Sequence, residues 1–150
     1  MKLSIKADVA KIRKDIKSIE KKLYRMDDTI KKIATTVRND IVKRTERGID
    51  VNGSAFTPYS KDYQTYKKIK GKDSGKVNMR FSSRMMKDMK VFKKRKGVIV
   101  IGFATKESND KAYRHIKGDG VPKRKFFGLS KKNKRFITKS IRAAARKAIK

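Results

Sequence analysis

From Ile5 to Ile41 the chain repeats apolar residues in one register: Ile5, Val9, Ile12, Ile16, Ile19, Leu23, Met26, Ile30, Ile33, Val37 and Ile41. Spacings of four and three alternate as far as Ile33 and then continue by four. Charged residues occupy the other faces. This is a heptad-like seam on an amphipathic helix. Taken as one rod over residues 5–47, it is ~60 Å long at a rise of 1.5 Å per residue. Asp27-Asp28-Thr29 offers a place where a second helix could be capped. Such a seam must be covered by something. The second half reads as a stripe of the internal core. The first half has little chain left to cover it, can project, and reads as facing a partner, with Ile5, Ile12, Ile16 and Ile19 as its interface residues.

Beyond the seam, Gly48 follows the last periodic residues as a natural C-cap. Asn52-Gly53 signals a turn, and Pro58 marks a loop edge. Tyr59, Tyr63 and Tyr66 recur at helical spacing, which predicts a short helix from Ser60 to about Ile69. Residues 70–76 are polar and Gly-containing and read as a mobile loop. Ser82 or Ser83 can cap a helical turn carrying Met85, Met86 and Met89, a methionine group suited to core packing. Lys90–Lys93 and Val98–Phe103 read as two strands joined at Arg95-Lys96-Gly97. The second is the most apolar run and is expected to be a central strand. A short helix is expected over Asn109–Ile116, ending at Gly118. After the Gly118–Pro122 loop and an extended Lys123–Leu129, Ser130 caps a last helix over 131–149. The fold class expected is α+β in a single domain.

The 150 residues suffice for one modest core. Only 37% are hydrophobic and there is no Trp, so that core is thin or completed by a partner. With no Cys and only His115, disulfides, thiolate sites, cysteine nucleophiles and His pairs are excluded. The carboxylates are scattered, with no calcium-loop run, and neither Gly71–Lys76 nor Gly118–Gly120 has the form of a phosphate-binding loop. No catalytic constellation and no cofactor site is expected. The charged start does not resemble a signal peptide, and no apolar run approaches the ~18 residues of a membrane span.

The net charge is +31. It is least balanced after residue 110, where 15 basic side chains face the single acid Asp119. That quarter has the best claim to face a polyanion. Lys outnumbers Arg 32 to 13, which suits non-specific phosphate contact better than base reading. The same bias, with Ile over Leu at 15 to 3, is what the codons of an AT-rich genome would give. Both readings of the charge stand.

Several short motifs occur in a distinctive order. Gly48, Asp50, the Asn52-Gly53 turn, Phe56, Thr57-Pro58 and then Tyr59, Tyr63, Tyr66 and Lys67 come first. Phe81-Ser82-Ser83-Arg84-Met85 precedes the hairpin, which ends in Val98-Ile99-Val100-Ile101-Gly102. Ala112-Tyr113-Arg114-His115-Ile116-Lys117-Gly118 and Pro122-Lys123-Arg124-Lys125-Phe126-Phe127-Gly128-Leu129-Ser130 complete the set. In order and spacing this resembles the phage virion morphogenesis (tail completion) family, small neck proteins of tailed bacteriophages. The resemblance covers residues ~33–149. Ser83 stands where that family usually has Gly, and Ile116 where it has Gln.

The resemblance implies assembly and not chemistry: head–tail joining in the neck, as a homo-oligomeric ring, six subunits being the favoured number. The partners it implies are neighbouring neck, connector or tail-terminator proteins. The place it implies is the virion, after assembly in the bacterial cytoplasm. Arg124, Phe126, Phe127 and Leu129 would then serve packing or an interface. Lys131, Lys132, Lys134, Arg135, Lys139 and Arg142 would line the DNA channel. The alternative is a free, non-specific nucleic-acid-binding protein.

Overall fold

The computed structural model of the chain describes residues 9–95 and 97–149. Helix α1 (Val9–Glu46) is followed by α2 (Lys61–Ile69), α3 (Arg84–Lys87), strands β1 (Met89–Arg95) and β2 (Val98–Phe103), α4 (Lys106–Lys117) and α5 (Lys131–Ile149). This is an α+β fold with a two-stranded antiparallel sheet.

The 38-residue α1 is unbroken. Asp27 does not cap a new helix. It is 7% exposed, and its carboxylate accepts from Gly97 N–H at 2.9 Å and Lys93 Nζ at 2.9 Å. The residue that could have interrupted the rod instead ties the tip of the hairpin to it. The helix ends where Gly48, at φ 78°, adopts the left-handed conformation. Gly48 N–H donates to Thr45 O and Ile49 N–H to Arg44 O, the paired bonds of a Schellman cap. A Cβ at Gly48 would lie 3.1 Å from Val77 O, so glycine serves the approach of that loop as well as the turn.

The second half of the seam is core. Ile33, Val37 and Ile41 are buried, and Val37 and Ile41 cluster with Phe56, Met86, Met89, Ala112 and Phe126. Helix α1 packs across both strands and against α5. Two arginines of α1 reinforce this packing: Arg38 Nε donates to Met89 O at 2.7 Å, and Arg44 reaches the loop before α5. Ile5 lies outside the described residues. Ile12, Ile16 and Ile19 lie on the backbone of α1, but their side chains are outside the described ones.

The strands pair from Met89↔Phe103 to Arg95↔Val98, with an irregularity between Lys93 and Arg95. The expectation of a central strand fails, because β2 has one strand neighbour among the described residues. Its apolar run is instead covered by helices, with α1 across the hairpin and α4 against β2, and Val100 remains 40% exposed. Helix α4 starts three residues before the expected Asn109, because Thr105 caps it through Ser108 N–H at 3.2 Å. Gly118, at φ 84°, ends it. The Ser60 cap of α2 and the Ser130 start of α5 fall where expected. Residues 70–76 form a loop in which Asp73 Oδ1 accepts from Gly75 N–H and Oδ2 from Asn78 Nδ2.

Candidate functional site

The segment from Pro122 to Ser130 links the end of α4 to α5, with Arg124 and Phe126 buried and Pro122, Lys123, Lys125 and Leu129 exposed. Phe126 is fully buried. Its ring packs edge-on to Phe103 and Phe127, at centroid distances of 6.4 Å each. Arg124 is 4% exposed. Its Nε and Nη2 donate to Thr57 O at 3.2 and 3.0 Å, and its guanidinium lies 5.1 Å from the Tyr59 ring centroid. Val51 N–H donates to Lys125 O at 2.9 Å, so the loop after α1 runs against this segment. Of the four residues expected to serve packing or an interface, Arg124 and Phe126 are therefore inside the chain. Phe127 is half-buried, and Leu129, 42% exposed, is open to a partner.

Arg44 closes the same region from the other side. It is 6% exposed, with Nη2 donating to Phe126 O and Gly128 O and Nη1 to Asn133 Oδ1. Asn133 in turn donates to Asp40 Oδ2 at 2.7 Å and exchanges bonds with Ser130 in a capping arrangement. Burial lowers the pKa of Arg44 from its ordinary value, opposed by the charges of Asp40 and Asp50. A guanidinium stays charged through such shifts.

The six basic residues expected along the last helix are all exposed on α5. Lys134, Arg135, Lys139 and Arg142 share one shallow basin of about 510 Å³ with Thr138 and Arg146. Lys131 and Lys132 are set apart from it, in the first turn. Arg146, one turn beyond Arg142, belongs to this basic face and was not among the expected residues.

A larger groove, of about 910 Å³, opens among α2, α3, β1 and α4. Sequence reading missed it. The Tyr59, Tyr63, Tyr66 spacing predicts a helix face, but nothing in it says that Phe81 continues the series. Tyr63 meets Tyr59 edge-on at 5.0 Å, and Tyr66 stacks on Phe81 at 5.6 Å. Beneath this series Lys67 is fully buried, with Nζ 4.6 Å from the Tyr59 ring centroid and without a hydrogen-bond partner. Burial lowers its pKa, against a smaller upward pull from Asp73. Tyr59 is pushed up by burial, while its hydroxyl accepts from Met79 N–H at 3.2 Å.

Scans of the chain against protein-family models, curated proteins and solved structures return no match. The function must therefore be argued from sequence and geometry. His115 borders the large groove. Its Nδ1 is buried without a partner, and burial, with a contribution from Arg124, lowers its pKa, so the ring is neutral at pH 7. Its carbonyl accepts from Arg124 N–H at 2.6 Å, which makes it part of the packing around that arginine. Among the described residues no three His, Cys, Asp or Glu side chains are placed to hold a metal ion. Among those residues, too, no helix is long and apolar enough to cross a membrane.

Proposed function

We propose that the protein is a structural component of a tailed-bacteriophage virion, acting in the neck where the tail is completed and joined to the head. The sequence resemblance supplies this reading. One observation supports it further: the short motifs that make up the resemblance meet in space. Arg124 Nη2 bonds Thr57 O, Arg124 N–H bonds His115 O, and Phe103, next to Gly102, lies against Phe126 and Phe127. Ser83 takes a left-handed φ of 61°, at the position where the family has Gly.

In this reading the chain is not an enzyme. It forms a closed ring of identical subunits, six being the favoured number, through the Ile12, Ile16 and Ile19 part of α1. A heterologous interface whose rotation closes gives such a ring. Adjacent neck, connector or tail-terminator proteins stack on the ring. The α5 face turns toward the DNA and contacts phosphate without reading bases.

Light scattering on the eluting protein, at low and high salt, and electron microscopy of the same fractions test the assembly. Rings of uniform size that Ile12→Asp, Ile16→Asp and Ile19→Asp together dissolve are the expected result. A monomer at both salt concentrations overturns it. The basic face of α5 also favours a second reading, the free non-specific nucleic-acid binder. A monomer that coats duplex DNA with a steep salt dependence would establish that reading instead.

A further inference from the structure

The groove among α2, α3, β1 and α4 is mostly apolar, lined in part by Met79, Met85, Val121 and Pro122. Along it Tyr63, Tyr66 and Phe81 remain 37%, 46% and 38% exposed. A chain with few hydrophobic residues thus leaves three large rings on one surface. Exposed rings grouped along a groove are where an interaction site is sought. The methionines are residues that adapt to different side chains.

The charges that line the groove define what fits it. Arg84, Lys87 and Lys90 line it; none lies within 4 Å of a carboxylate among the described residues, although Lys90 still acts on Asp88 and Arg84 on Glu107 at longer range. The two carboxylates in the lining are engaged. Asp88 accepts from the N–H and Oγ of Thr105, which hold its pKa below the usual carboxylate range. Glu107 pairs with Lys111. The groove thus offers an apolar trough beside positive charge, Arg84, Lys87 and Lys90, that makes no close salt bridge.

We infer that this groove docks an acidic segment of another protein carrying one or two large apolar side chains. A second copy of this chain fits poorly, since it has 45 basic and 14 acidic residues. Single-stranded nucleic acid fits less well than a peptide. Bases need open ring faces, and here the rings stack on one another: Tyr66 on Phe81 with 11° between planes, and Tyr63 on Tyr66 with 29°. Tyr66 has a ring neighbour on each side, and the methionines beside it suit aliphatic or aromatic side chains entering from an extended peptide better than stacked bases. Apolar anchors in a pocket with charged residues at the rim are the usual anatomy of such contacts. The inference does not depend on ring formation or on a place in the neck.

The test must separate docking from the general attraction of a +31 chain for any polyanion. The probes are a fluorescent peptide of Asp and Glu with two Leu-Phe anchors, the same peptide with the anchors replaced by Ser, and oligothymidylate. Binding is measured at about 0.3 M salt, where exposed charges are largely screened. The anchored peptide should bind at least about tenfold more tightly than its Ser counterpart. Tyr66→Ser with Phe81→Ser should abolish that preference, while Lys139→Glu with Arg142→Glu on α5 should leave it. In the unmutated protein, methyl NMR of the methionines requires no variant to fold. The anchored peptide should shift Met79 and Met85 and leave Met26 unmoved. Equal binding of the two peptides, or unmoved Met79 and Met85 methyls, overturns the inference. So does oligothymidylate that shifts those methyls and displaces the peptide, which would make the groove a nucleic-acid site.

Discussion

Replacing Arg44 by Met should cost more than its position near the end of a surface helix suggests. The substitution keeps most of the aliphatic stem and removes the donors. Asn133 Oδ1 would lose Nη1 at 3.2 Å but keep Ser130 N–H at 3.1 Å and Ser130 Oγ at 2.8 Å, so it remains satisfied. The carbonyls of Phe126 and Gly128 would lose their Nη2 donor, at 2.9 and 3.1 Å. Each buried acceptor left without a donor costs about 1–3 kcal/mol. The variant recovers part of the cost of burying a guanidinium, so the net loss should be about 2–4 kcal/mol, toward the low side of what breaking a buried charged contact costs. For a chain of this size that lowers the melting temperature by about 10 °C. Arg44→Lys, which can serve only part of the fork, should fall between. Urea unfolding of the three proteins is the assay, with Asn133→Ala added to complete a double-mutant cycle. A midpoint for Arg44→Met indistinguishable from the parent would refute the argument. It would mean that the Phe126–Gly128 carbonyls are satisfied by something other than Arg44.

Three further outcomes can be checked by the same unfolding measurements. Ser83 holds φ 61° without a side-chain cap bond, and a non-glycine residue pays about 1–2 kcal/mol there; Ser83→Gly should stabilise by up to about 1 kcal/mol after the entropy of glycine is subtracted, and a loss of stability would show that the Ser side chain is needed. Lys67→Met should stabilise by about 1 kcal/mol at pH 7, because it removes a buried, unpartnered amine at the expense of a ring contact. The Lys67 pKa is lowered in the folded state, so the parent's deficit is present below the unfolded value of 10.5 and should shrink as pH rises toward it; a margin independent of pH would show the amine to be solvated. His115 is likewise lowered from 6.5, so stability present above that value should be lost as pH falls below it. His115→Gln should flatten that part of the profile, and an unchanged slope would assign it to other groups.

The parts of the fold that depend on neighbours in sequence were legible. The seam gave the second half of α1 as core, and Gly48, Ser60, Gly118 and Ser130 mark helix boundaries through local backbone chemistry. What was not legible depends on partners far along the chain. Asp27 looks like a helix cap until the turn at Gly97 arrives 70 residues later to take its carboxylate. Arg124 has the composition of an interface residue, yet it is drawn inside by the carbonyls of Thr57 and Pro58. Arg44 is one of many basic residues in the sequence and is set apart only by the loop that folds over it. The apolar run of β2 looks like a central strand because hydrophobicity reports cover without saying whether a strand or a helix supplies it.

The same reasoning bears on the charge. Compositional drift toward Lys should be tolerated wherever lysine is cheap, mainly on exposed faces with acids nearby. Helix α5 does not meet that description. Its first turn holds Lys131 and Lys132 and no acid, so positive charge sits at the positive end of the helix dipole. Along the following turns Lys134, Arg135, Lys139, Arg142 and Arg146 border one basin, and among the described residues the salt bridges all lie elsewhere. Like charges four apart destabilise a helix by about 0.2–0.5 kcal/mol per pair. In the proposed function, a polyanion bound to this face would offset both of these costs to the helix. Lysines scattered over α1 and α2 carry no such argument, since acids are interleaved among them. Within the proposed function, α5 is therefore the face on which this charge would meet DNA.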